Sequence, residues 1–223
     1  MPSPKDVLEA IRHGDARQLE SLLASDAALA SARDENGVSA LMQAAYQRRS
    51  EMVEMLRSRK ASLDIFEAAA LGDEAQLSAL LSTDPSLAHT WSADGFTALH
   101  FTAFFQQPAC AKLLVAKGAD VTAVARNPMA VTPLHSAAAA HATEIARLLL
   151  EKGAPVDARQ QGGWTALHAA AMHGDEPLAD LLLSCGADPA LKAGNGSDAA
   201  ALALEKGYGA LARKLRPVGE KGF

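Results

Sequence analysis

Apolar side chains return along the chain at helical intervals. Ile145, Leu148 and Leu149, and again Leu178, Leu181 and Leu182, stand at i, i+3 and i+4, the spacing that gathers side chains on one face of an α-helix. Each of these runs stops at Gly-Ala, at Gly153-Ala154 and Gly186-Ala187, and Gly118-Ala119 closes an equivalent run upstream. Glycine just past a helix admits the left-handed backbone that ends it without steric cost. Between the leucine-rich runs lie alanine-rich ones, at Ala137 to Ala140 and Ala169 to Ala171, where small side chains let a second helix pack closely. Pro133 suits the first turn of such a helix, where its missing N–H would be unpaired anyway. The pattern predicts short helices in pairs.

A six-residue motif marks the start of each pair. Gly-x-Thr-(Ala/Pro)-Leu-His stands intact at Gly95-Phe96-Thr97-Ala98-Leu99-His100 and at Gly163-Trp164-Thr165-Ala166-Leu167-His168. It stands without its glycine at Ala130-Val131-Thr132-Pro133-Leu134-His135, and weakened after Gly37 and Gly196. Thr97 to Thr132 is 35 residues, and Thr132 to Thr165 and Thr165 to Asp198 are 33 each. These residues resemble the ankyrin repeat, a unit of about 33 residues with a Thr-Pro-Leu-His signature. The resemblance implies an all-α solenoid of stacked antiparallel helix pairs with short β-hairpin fingers, in which neighbouring units bury the face that no single pair can bury alone.

The first half of the chain departs from this period. Gly14-Asp15, Leu22-Leu23, Asp26 and Gly37 are repeated 58 residues later as Gly72-Asp73, Leu80-Leu81, Asp84 and Gly95, as if a two-unit block had been duplicated. In each block the Gly-Ala stop is replaced by a short capped turn at Asp26 or Asp84. Between the blocks only 24 residues separate Ser39 from Leu63, too few for a finger. The reading is seven units over residues 1–216, starting near 5, 34, 61, 92, 127, 160 and 193, with motif positions near Lys5 and Leu63 in the first and third, and a tail over 217–223.

Composition narrows the function. Lys and Arg (21) are spread among Asp and Glu (26), for a net charge of −5, so no basic stripe for nucleic acid is expected. Two cysteines are too few for a disulfide framework and fit a reducing compartment. With no long apolar run, the expectation is a cytoplasmic monomer that neither enters a membrane nor is exported. The alanine-rich composition suggests a bacterial source.

Candidate chemistry is sparse. His100, His135 and His168 recur at one place in successive units, where ankyrin-like repeats use histidine to tie one loop to the next, so a structural role is expected. Cys110 reads as a buried filler and Cys185 as exposed. Arg48, Arg49, Arg57, Arg59 and Lys60, interleaved with Glu51 and Glu54, read as a solvated helix face. No nucleotide-binding, metalloprotease or nucleophile-elbow motif is present, and no enzyme activity, cofactor or metal is expected. What the resemblance offers is a surface of finger tips and first helices. The few aromatics collect at those positions: Tyr46, Phe96, Phe104, Phe105 and Trp164, joined by Met129, Met172 and His173. Phe104 and Phe105 either stand in a groove or pack under the long finger around Met129. The reading is a non-catalytic module that holds an unidentified protein partner on its concave face. The alternative is an accessory subunit or inhibitor of an enzyme; a small-molecule binder or an enzyme would need convergent polar groups in a pocket, which the motifs do not supply.

Overall fold

The computed structural model describes residues 2–216, so the expected tail over 217–223 lies outside the described residues. Fourteen α-helices run along them as seven consecutive pairs. These are α1 (Pro4–His13) with α2 (Ala16–Ser25), α3 (Ala40–Tyr46) with α4 (Ser50–Arg59), and α5 (Ile65–Leu71) with α6 (Glu74–Thr83). They continue as α7 (Ala98–Phe104) with α8 (Pro108–Ala116), α9 (Pro133–Ala139) with α10 (Thr143–Glu151), α11 (Ala166–His173) with α12 (Glu176–Ser184), and α13 (Ala199–Glu205) with α14 (Gly209–Leu215).

A polar residue caps every first helix: Ser3, Ser39, Asp64, Thr97, Thr132, Thr165 and Asp198. An N-cap side chain satisfies amide groups that the first turn leaves without a helical partner. In the first and third units, where the motif positions were placed near Lys5 and Leu63, the caps are Ser3 and Asp64. Only an oxygen-bearing side chain can do this job, so chemistry fixes the residue there. The leucine-rich helices α8, α10 and α12 end at Gly118, Gly153 and Gly186, each with φ near +87° or +88°. The two variant stops are 3-10 turns, Ala27–Ser31 and Pro85–His89, capped by Asp26 and Asp84.

Every close packing between elements lies within a pair or between adjacent pairs, so the core is a one-dimensional stack. Its layers are leucines from both helices, among them Leu41, Leu77, Leu99, Leu134 and Leu149, alternating with alanines that let the first helices approach. The connections between pairs are fingers whose ends are joined by a backbone hydrogen bond from Asp34 to Val38, Ser92 to Phe96, Gln160 to Trp164 and Ala193 to Ser197. The finger before α9 closes from Ala125 to Val131 and is two residues longer. Among the described residues the one β-bridge joins Arg33 and Ser39, so the fingers are tighter than the hairpins expected.

The third pair has no finger, as the 24-residue spacing requires. Its place is taken by a salt bridge: Lys60 Nζ lies 2.7 Å from Glu67 Oε1, with the Lys60 side chain 7% exposed and the Glu67 side chain fully buried. Arg57 pairs with Asp73 at 2.9 Å, and Arg59 donates to the Leu23 carbonyl at 3.0 Å. The basic group is in part the solvated face expected of it, with Arg48, Arg57 and Arg59 exposed, but Lys60 is drawn into the interior. Three of its five members are tied down, because without a finger side chains must join α4 to the neighbouring units. Of the other two, Arg48 stays exposed and Arg49 lies against Gly14.

Candidate functional site

The histidine column is built from a single local rule. The Thr97 N–H donates to His100 Nδ1 at 3.2 Å, and the opposite ring nitrogen donates from Nε2 to the Val131 carbonyl at 3.0 Å. His135 repeats this between Thr132 and Trp164, and His168 between Thr165 and Leu191. A ring that accepts at Nδ1 and donates at Nε2 is neutral, and protonating Nδ1 would set two N–H groups against each other. Burial, the leading cause, pushes His100 down to about 4 and lowers His135 and His168 as well. These histidines join each first helix to the next finger. Cys110 is buried, which raises its thiol to about 11, while Cys185 is exposed.

Beside this column lies a groove of about 460 Å³, walled by Tyr46, Phe96, Phe104 and Met129 and floored by Phe101, Val131 and Ala139. Phe101 is the hub: buried itself, it packs against Tyr46, Phe66 and Phe96 at ring separations of 6.3, 5.9 and 5.8 Å. Tyr46 reaches over the finger-less third unit, and its hydroxyl donates to Asp94 Oδ2 at 2.6 Å. Burial first, and the Asp94 bond second, raise its hydroxyl well above the usual tyrosine range, so it remains a donor. Met129 stands at the tip of the long finger, which is tied back by Asn127 Nδ2 to the Asp94 carbonyl at 2.9 Å and by Arg126 stacked 3.5 Å over Trp91. Phe104 at 41% exposure and Met129 at 53% face this space across the groove, so Phe104 is not packed under the finger.

The other candidates are placed elsewhere. Phe105 sits edge-on to Phe104 and opens on a second groove of about 430 Å³ with Arg49 and Gln106. Trp164 is half-buried against His168, and its carbonyl receives the His135 bond. Met172 packs against the core, and His173 meets His141 edge-on at 4.9 Å. Four of the eight candidates thus share one groove. Phe101, Asp94, Ser136 and Gln160 line it too and were not expected. Phe101 carried a signal: at the fourth place after the cap the other regular units have Ser136 and Ala169, so a phenylalanine there is out of pattern.

The profile of the family described as Ankyrin repeats (3 copies) matches residues 65–160 and 124–193, which together cover more than half of the chain. The chain belongs to the ankyrin-repeat family. Ankyrin repeats generally mediate protein–protein interaction. The Nuclear factor NF-kappa-B p105 subunit of Gallus gallus is 34% identical over 154 residues, 64% of this chain and 16% of that protein. The Probable E3 ubiquitin-protein ligase XBOS31 of Oryza sativa subsp. japonica is 37% identical over 126 residues, 56% of this chain and 28% of that protein. Neurogenic locus notch homolog protein 4 of Homo sapiens is 40% identical over 102 residues, 45% of this chain and 5% of that protein. This ankyrin-repeat chain spans less than a third of each of these relatives, and their names describe unlike proteins. Among the described residues, no helix is long and apolar enough to cross a membrane, and no cluster of His, Cys, Asp and Glu is suited to a metal ion.

Proposed function

We propose that this chain is a non-catalytic interaction module, working as a cytoplasmic monomer, that holds a segment of a partner protein on the concave side formed by its fingers and first helices. The observation that carries this reading is the groove between Tyr46, Phe96, Phe104 and Met129. Large apolar side chains stand half-exposed or exposed there around a space of about 460 Å³, with rigid backing from Phe101. Side chains held open in this way gain their burial from a partner, and aromatic anchors carry a large share of binding energy. Phe105, Trp164, Met172 and His173 extend the surface on either side of that groove.

The test is direct binding of a purified partner, measured by calorimetry against the parent chain and against Phe104→Ala combined with Met129→Ala. Loss of the aromatic anchor alone weakens binding about thirtyfold, the equivalent of ~2 kcal/mol. Equal affinity for the folded double variant overturns the reading. Separate alanine variants at Trp164, Met172 and His173 show how far the partner reaches toward α11.

A further inference from the structure

The groove carries one formal charge. His100 and His135, which also line it, are neutral by their hydrogen bonding, and Asp94 is the single ionised side chain on its walls. The Asp94 carboxylate accepts from Ser92 Oγ at 2.5 Å and from Tyr46 at 2.6 Å, two neutral donors. None of the ion pairs among the described residues uses it. The nearby cations are engaged or unpaired with it: Arg126 is stacked on Trp91, Arg33 is paired with Asp64 at 2.8 Å, and Lys5 and Arg12, which share a second cavity with Tyr46 and Asp94, form no ion pair with its carboxylate. Beyond these two neutral hydrogen bonds, the Asp94 charge has no ion-pair partner among the described residues and is left to solvent water.

A segment that seats an apolar side chain between Phe96, Phe104 and Met129 strips that water away. Covering a carboxylate without supplying a counter-charge is costly, whereas a cation placed beside it recovers a charge-assisted hydrogen bond. We infer that the partner segment is a peptide that carries a lysine or arginine next to its apolar anchor, the anchor filling the groove and the base meeting Asp94. The hydroxyl of Ser136, a residue more than nine-tenths buried, and the Gln160 amide also border the groove without a bond to another described residue, and they offer hydrogen bonds to the segment's main chain. This inference rests on the interaction reading above and specifies the chemistry of the partner.

The probe is a displayed library of random peptides selected against the full chain. Recovered peptides are then synthesised and titrated by fluorescence anisotropy against the parent, Asp94→Asn and Phe104→Ala. Asparagine removes the charge, keeps an acceptor oxygen for one of the two hydroxyls and turns its NH2 to the other, which can accept from it. The expected result is a shared apolar residue beside a base, an affinity loss of about tenfold in Asp94→Asn, and no further loss when the peptide's base is also changed to glutamine. Peptides without a base, or peptides that bind Asp94→Asn as tightly as the parent, overturn the inference. If those peptides still lose affinity for Phe104→Ala, the groove reading stands without it. Peptides indifferent to Phe104→Ala, or no recovered peptide at all, overturn both.

Discussion

At the residue scale, the three neutral histidines make stability depend on pH. In the unfolded chain a histidine takes up a proton near 6.5, whereas folded His100 resists until about 4. Between these values the unfolded state binds more protons, so stability falls as pH drops through that window and is unaffected above it. Each buried histidine contributes a slope of up to ~1.4 kcal/mol per pH unit. Urea denaturation at intervals from pH 7 to pH 4 should show this decline, and His100→Gln should flatten it by one histidine's share; an unchanged slope would remove the neutral-ring account. This column was legible in the sequence because its rule is local: cap and third residue share one helical turn, so Thr-x-x-His reads directly as a bond. Glu67 fills the same slot behind Asp64, but its partner Lys60 belongs to the preceding unit, and that pairing depends on a packed interior no motif records.

At the scale of elements, the missing finger is the informative departure. Its absence followed from 24 residues of spacing, but the salt bridge that replaces it did not. Lys60→Met leaves Glu67 buried without a counter-charge and should destabilise the chain by ~3–5 kcal/mol. Adding Glu67→Gln removes the stranded charge while keeping an acceptor for the Asp64 amide, and should recover most of that loss. Chemical denaturation of the two variants checks the order, and a double variant no more stable than the single would show that the charge was not the cause. The groove was half legible for a related reason. Equivalent positions in successive units place Phe104 and Met172 alike on their helices, but Ala139 lies between them, too small to make one continuous wall. Which side chains meet across the space depends instead on finger length, and the two extra residues that lift Met129 were visible only as a count.

Across the whole molecule, adjoining units are not joined with equal strength. The later fingers are laced tip to tip by backbone bonds from Arg126 to Gly95, Gln161 to Met129 and Gly194 to Gly162. No finger exists to continue this lacing at the third unit, where α3 meets α5 less closely than any other two successive first helices meet and α4 and α6 do not pack closely together. Hydrogen exchange followed by mass spectrometry should find α1 to α4 opening together, with lower protection than α7 to α12, and a boundary at residues 60–64. Tyr46→Phe, which removes the bond to Asp94 across this junction, should lower protection of the first two units further; uniform protection along the chain would refute the boundary. The same junction has a mechanical meaning. Units in series carry one common tension, so a chain drawn apart by its ends is expected to yield first where helix packing is sparsest, between the second and third units. The Lys60–Glu67 and Arg57–Asp73 bridges hold that junction in place of a finger. Tyr46 and Asp94 stand on opposite sides of it and together form one wall of the groove, so a pull on the solenoid would open the grip on a bound segment before any helix unravels.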